Sequence, residues 1–392
     1  MTDLALEPDG ARTLVESVMA TIRQRIAARS LTPGTRLPSI RAFAKSMQVS
    51  KSTVVEAYER RTVARADDVA LADYGTPLGL PPLRQLLARR LAGHGIEASP
   101  EQIMLTESGT QAIDLLCRFL IEPGDTVLVD DPCYFNFHAL LRAHRAKVVS
   151  VPYTQSGPDI ELFAQALAEH RPRLYITNSA IHNPTGAILS PVTAHRLLKL
   201  ADQSGLTIVE DDIFADFEHA PAPRLAAFDG LSRVVQIGSF SKTLSASVRC
   251  GFIAAPRDWI EGLADLKIAT TFGGGRLAAE LVLTLLKDGS YRKHMDLLRA
   301  RLSRAMGETS ARLKAIGITP WIDQPAGLFL WCGLPDRVDA ADVARRALAD
   351  NIVLAPGNAF SLSQSASRFL RFNVAQCADE RIFKTLETAM SR

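Results

Sequence analysis

The chain has 392 residues, 47% of them hydrophobic and 22% charged. That is more than one ordinary domain needs and enough to bury a large core, so two or three units are expected. Five scattered cysteines without CxxC spacing (Cys117, Cys133, Cys250, Cys332 and Cys377) argue against a disulfide framework or a zinc site and for a reducing compartment. Residues 1–10 carry Asp3, Glu7 and Asp9 and lack the apolar stretch of a signal peptide. No apolar run is long enough to span a bilayer, so a cytoplasmic place is expected, with no membrane partner and no metal. The net charge of +3 is unevenly spread: residues 1–61 hold ten Lys/Arg against six Asp/Glu, and the remainder 35 against 36. A small basic unit joined to a neutral large one points to a nucleic-acid contact near the start of the chain.

In chain order, Leu14, Val18, Ile22 and Ile26 recur every four residues and mark one face of a helix. Residues 31–39 are rich in turn formers. Ser39 is placed to cap a helix carrying Ile40, Phe43, Ala44 and Met47, and Ser50 a second helix carrying Val54, Val55, Ala57 and Tyr58. Two short capped helices joined at Val49-Ser50 read as a helix-turn-helix. The second opens with Ser50, Lys51, Ser52 and Thr53, groups suited to phosphates and base edges. A purely structural helical module is the alternative, weighted lower because the charge excess falls on the same segment.

Two stretches here, Leu31-x-Pro33-Gly34-x-Arg36-Leu37-Pro38-Ser39-x-Arg41 and Val49-Ser50-x-Ser52-Thr53-Val54-x-x-Ala57-Tyr58, closely resemble the winged-helix domain of the GntR regulators. The resemblance implies DNA contacts by Arg36, Ser39, Arg41, Ser50, Lys51, Ser52 and Thr53. In that family a Gly-rich two-stranded wing follows. This chain instead runs Glu59-Arg60-Arg61-Thr62-Val63-Ala64-Arg65, so an all-α head over residues 11–61, without wing or linker, is expected.

Beyond residue 64 the pattern changes. Ile103–Thr106, Thr126–Val129, Arg173–Thr177, Leu206–Val209 and Arg233–Ile237 read as short strands separated by helical stretches, which means a mostly parallel α/β sheet. Ligands of such sheets sit beyond the carboxyl ends of the strands. Ser108, Tyr134, Asn183, Asp211 and Lys242 all fall at or just past such ends. Ser108-Gly109-Thr110-Gln111 opens a helix, where free amides and the helix dipole suit a phosphate. Tyr134 is either a core aromatic or a stacking face. Ser239-Phe240-Ser241-Lys242, followed by Arg249, offers an amine for a Schiff base, with hydroxyls and a cation for a phosphate. By itself that stretch reads equally well as a surface lysine after a strand, and the convergence of five strand ends decides for a pocket. Gly273-Gly274-Gly275 is no dinucleotide fingerprint, and a close subunit contact is as good a reading. A long helix over 290–315 should bridge two lobes. The strands Gly327–Trp331, Ile352–Leu354 and Phe369–Val374 then mark a smaller α+β lobe. Arg371 lies in an apolar strand, so it either pairs with an internal carboxylate or waits for a ligand carboxylate. The inferred pocket favours the second reading.

From residue 64 to 392 the chain resembles the fold-type I pyridoxal-phosphate (PLP) enzymes of the aspartate aminotransferase superfamily. A GntR-like head on that body resembles the MocR regulators. The resemblance implies a large lobe over about 75–285 and a small lobe over about 290–392. It makes Lys242 the residue that forms the internal aldimine and Asp211 the partner of the pyridinium nitrogen. Asn183 would bond the ring hydroxyl and Tyr134 would stack on the ring. Ser108, Gly109, Thr110, Gln111, Ser239, Ser241 and Arg249 would surround the phosphate, and Tyr74 would reach a phosphate in a neighbouring subunit of a homodimer. Arg371 would take the α-carboxylate of an amino acid. Many members place a tyrosine two or three residues after the pyridine aspartate, where this chain has Ile213 and Phe214. That departure favours a DNA-binding transcriptional regulator sensing an amino acid or amine through an external aldimine. The alternative is an aminotransferase with a vestigial head, which the missing wing favours. A DNA-binding protein with an inert scaffold is disfavoured by the intact pocket residues.

Overall fold

The computed structural model describes residues 14–27, 40–50, 53–54, 75–323 and 326–391. The chain divides into two units, Met1–Tyr74 and Gly75–Arg392. In the first, helices span Leu14–Ala27 and Ile40–Met47. The second helix stops at Gln48, whose φ of 52° turns the chain, and Val49 N donates to Ala44 O. Ser50 Oγ then accepts from Thr53 N at 3.1 Å, as an N-cap hydroxyl does. Val18, Met19, Phe43, Ala44, Met47 and Val54 form a small closed core. Of the expected stripe of the first helix, Val18 is buried, Leu14 is 58% exposed and Met19 is inside, while the side chains of Ile22 and Ile26 lie outside the described residues.

The second unit is built on an eight-stranded sheet ordered β1-β8-β7-β6-β5-β2-β3-β4. These strands are β1 (Ile103–Thr106), β2 (Thr126–Asp131), β3 (Lys147–Thr154), β4 (Gly157–Pro158), β5 (Leu174–Thr177), β6 (Thr207–Asp211), β7 (Val234–Ser239) and β8 (Gly251–Ala254). Strands β3, β2, β5, β6 and β7 run parallel, and β8 is antiparallel to both β7 and β1. Strand β1 therefore points the same way as β7 and delivers its carboxyl end to the same edge. The pleat sorts side chains between two cores. Val127, Val129, Ile176, Val209 and Val235 pack with the Gly109–Leu120 and Ile260–Thr271 helices. Leu128, Tyr175, Ile208 and Val234 pack with the helices Pro81–Ala92, Ile160–His170 and Pro191–Ser204.

A second sheet, β11-β12-β10-β9, is antiparallel and forms the small lobe, with β9 (Thr319–Pro320), β10 (Phe329–Gly333), β11 (Ala355–Pro356) and β12 (Phe369–Asn373). The long helix runs Ser290–Ala315, as its periodicity predicts. The strand expected at 352–354 is not one. Val353 is 83% exposed, and pairing begins only at Ala355. Contacts that tie the lobes include two through the backbone, Cys133 N donating to Phe360 O at 2.8 Å and Ser363 N to Asp131 Oδ2 at 2.9 Å, and one between side chains, Arg371 Nη1 donating to Asn183 Oδ1 at 2.9 Å.

Behind β6, Arg224 is buried between Asp212 and Glu218, with N–O distances of 2.7 Å to each. Removing one partner of such a group strands buried charge. Arg224→Met should therefore cost about 3–5 kcal/mol of stability, read as a fall in the urea midpoint at unchanged slope.

Candidate functional site

The carboxyl ends of β1, β2, β5, β6 and β7 open on one edge of the sheet, and the residues read from the sequence gather there. Ser108 follows β1 in an extended conformation and caps the Gly109–Leu120 helix, its Oγ accepting from Gln111 N at 3.1 Å. The first amides of that helix, Gly109 and Thr110, have no acceptor a turn back. A Cβ at Gly109 would meet Ile213 Cγ2 at 3.2 Å and Ser239 Cβ at 4.0 Å, so three strand ends close on this point. Gln111 departs from the expected role. Its Oε1 accepts from Glu107 N and its Nε2 donates to Thr271 Oγ1, so its amide braces the turn from behind instead of facing a phosphate. Ser239 and Ser241 brace the lysine loop through Cys250 O and Val248 O. Lys242 and Arg249 are exposed and form no ion pair among the described residues.

Asp211 ends β6 on the same side as the Gly109–Leu120 helix. Its Oδ1 accepts only a 3.3 Å bond from Ile213 N, while Asn178 Nδ2 holds its backbone carbonyl at 2.8 Å. Burial pushes its carboxyl up to about 7, against the pull of those hydrogen bonds and of Lys242. Its neighbours point to the opposite face. Glu210 accepts from the Leu225 and Ala226 amides at 2.7 and 2.8 Å and from Ser179, and it too is raised to about 7 by burial.

Asn183 sits beyond β5 at a cis Asn183–Pro184 bond, buried, with its Oδ1 on Arg371. No carboxylate pairs with Arg371 among the described residues. Its guanidinium lies between the rings of Phe329 (4.1 Å) and Phe360 (4.6 Å), and its buried Nε has no partner. Burial lowers its pKa to about 10. Tyr134 caps the Phe135–Ala143 helix and is half-buried. Its phenol is raised by burial and by Asp211, with Arg371 opposing, so the three groups share one field.

Several residues around the site escaped the sequence reading. Asn178 steadies Asp211. His182 stacks on Tyr153 at 3.7 Å and lies 3.3 Å from Asp130, which also accepts from Tyr175 and Thr177. Lys267 is fully buried in the Ile260–Thr271 helix. The only sequence signal for Asn178, His182 and Asp130 was adjacency to a strand end, which is common to many residues, and Lys267 had none. Tyr74, Arg36, Ser39, Lys51 and Ser52 lie outside the described residues, as does the side chain of Arg41.

A family model, aminotransferase class I and II, matches residues 44–388. The chain belongs to that family. A second model, bacterial regulatory proteins of the gntR family, matches residues 14–64, overlapping the first between 44 and 64. This is the regulator-plus-aminotransferase architecture expected of the MocR type. An uncharacterized HTH-type transcriptional regulator, YdcR of Escherichia coli, is 32% identical over 78% of this chain and 66% of its own length. The 2-aminoadipate transaminase of Thermus thermophilus is 29% identical over 92% of this chain and 91% of its own length. The chain spans about two thirds of the length of the first curated regulators that it matches. The crystal structure of LysN, an α-aminoadipate aminotransferase from Thermus thermophilus complexed with N-(5'-phosphopyridoxyl)-L-leucine, superposes with a TM-score of 0.77 at 26% identity, covering 86% of this chain and 87% of that one. No helix among the described residues is long and apolar enough to cross a membrane.

The family's fold implies pyridoxal phosphate, and the geometry fits it. A glycine-lined helix N-terminus, two unpaired cations, a buried carboxyl lacking a cationic partner and an orphan guanidinium nitrogen converge on one edge. A carboxyl whose pKa is raised on folding resists ionisation in the native state. Its cost is absent below the ordinary value of 3.8 and grows as pH rises to about 7. Asp211→Asn should therefore make the cofactor-free protein more stable than wild type at pH 8, by roughly 2–4 kcal/mol. The gap should close as pH falls toward 4, measured by urea unfolding across that range.

Proposed function

We propose that this protein is a pyridoxal-phosphate-dependent, DNA-binding transcriptional regulator whose aminotransferase-type domain senses an amino acid or amine. The observation that carries this reading is the joining of two features in one chain: a gntR-family match over the basic segment 14–64 and a convergent site at the sheet's carboxyl edge. When bound, pyridoxal phosphate supplies an aldehyde carbon for a ligand amine and a ring able to withdraw electrons. The chain's own residues do the rest. Lys242 presents its amine to the aldehyde position. Ser108, Gly109, Thr110, Ser239 and Arg249 hold the phosphate. Asp211 keeps a proton on the ring nitrogen, in a place where burial makes an uncompensated carboxylate costly. Asn183 orients the ring hydroxyl, Tyr134 covers a ring face, and Arg371 takes a ligand carboxylate bidentately. Tyr74 contributes to the phosphate site of a partner subunit in a homodimer. Residues 11–61 form the DNA-binding head and 64–392 the sensing body.

Ile213 supports sensing over fast turnover. It lies against Gly109 within the site, where the family resemblance implies a hydroxyl, whereas Phe214 is buried against Phe217 and Phe329. The end-to-end match to 2-aminoadipate transaminase favours a second reading, slow transamination of an amino acid with the head idle.

Purified protein incubated with pyridoxal phosphate should be yellow, and Lys242→Ala should abolish borohydride-trappable cofactor; a colourless wild type would sink the cofactor assignment. In gel shifts on the DNA upstream of its own coding sequence, binding should weaken steeply with salt and change on adding pyridoxal phosphate and amino acids. Absence of any shift, together with keto-acid formation from an amino donor, would replace the regulator by the transaminase.

A further inference from the structure

Lys267 is the most costly side chain near the site that the assigned roles leave unused. It has 0% exposure, and no carboxylate oxygen lies within 4 Å of its Nζ among the described residues. The ammonium instead donates to Pro77 O at 2.6 Å and Leu105 O at 2.9 Å. Gly274 packs close by: a Cβ there would stand 3.4 Å from Nζ, in ordinary contact. Burial pulls the pKa of Lys267 down to about 8, against the attraction of Glu107.

The Leu105 anchor bears on the turn that opens the Gly109–Leu120 helix, because Leu105 lies in β1, three residues before Ser108. One turn of helix beyond Lys267, Thr271 accepts from Gln111, whose other amide atom holds Glu107 N. The Ile260–Thr271 helix thus holds the strand that leads into the turn through a charged group and the turn itself through a hydroxyl. Two carbonyl dipoles satisfy the hydrogen-bonding needs of an ammonium, but they do not neutralise it. A buried, unneutralised cation behind a helix N-terminus is stabilised when an anion occupies the front of that N-terminus.

We propose that Lys267 is a positioning residue for the phosphate site: it fixes the Glu107–Gln111 turn from behind and supplies positive charge to a phosphate dianion in front, without touching it. This inference rests on the reading that the turn takes the cofactor phosphate. The test uses the full-length cofactor-free protein, titrated with pyridoxal phosphate and with pyridoxal, which has the same ring and aldehyde but no phosphate. In the wild type, pyridoxal phosphate should bind far more tightly than pyridoxal. Lys267→Met should narrow that preference by about tenfold with pyridoxal affinity nearly unchanged, and Lys267→Arg should keep it within about threefold. Lys267→Gln, which retains a donor for Leu105 O without the charge, is the second uncharged variant, and pyridoxal binding reports that each variant is folded. An unchanged preference in the uncharged variants, or an equal loss in Lys267→Arg, would overturn the proposal. A wild type that binds neither compound would instead reject the cofactor reading on which it stands.

Discussion

Three consecutive carboxylates stand at the end of β6, the last just past it, and a central strand buried on both faces cannot hold them there unless each is provided for. The pleat separates them. Glu210 and Asp212 point to one face, where the Leu225 and Ala226 amides and the Arg224 guanidinium meet them. Asp211 points to the other face, where the described residues offer it a long bond from Ile213 N, the nearby Asn178 amide and no ion pair. The cost of that burial is the driving force available to a ligand that brings a cationic ring nitrogen to this point. The reactive edge is thus a by-product of how the interior solves a charge problem: Asp212 is paired with a cation, Glu210 is hydrogen-bonded by two amides and a hydroxyl, and Asp211 is left for the ligand.

The same logic connects the two lobes. Asn183 and Arg371 come from different sheets and are joined by one hydrogen bond, while the guanidinium is clamped between Phe329 and Phe360. Aromatic faces accept a cation without neutralising it. Arg371 is therefore held in place with an unsatisfied nitrogen and a charge still available for a carboxylate. The contacts of Cys133 with Phe360 and of Asp131 with Ser363 keep the small lobe over the strand ends, so the carboxylate clamp and the ring site share one register.

Much of this was legible in the residues. The Ser50 cap, the parallel order of strands and the list of strand-end side chains follow from periodicity and turn chemistry, which are local. Errors arose where burial decided. Leu14 continues an apolar stripe yet is exposed, because the stripe outruns the small core it serves. Ile352-Val353-Leu354 has strand composition but no partner strand until Ala355.

The sequence by itself determined the α/β class, the basic helical head and the candidate amine, because strand ends, caps and charge runs depend on near neighbours along the chain. Only the tertiary structure decided which face each acid of Glu210-Asp211-Asp212 takes, that Arg371 meets Asn183 and no carboxylate, and that Lys267 is an interior cation. Those outcomes depend on which distant backbone carbonyls, amides and rings arrive at a given point, and solvation is lost or kept according to that arrival alone. Lys267 shows the difference most plainly. In the sequence nothing marks it out; in the fold it is a fully buried charge held by Pro77 and Leu105, residues that lie more than 160 positions earlier in the chain.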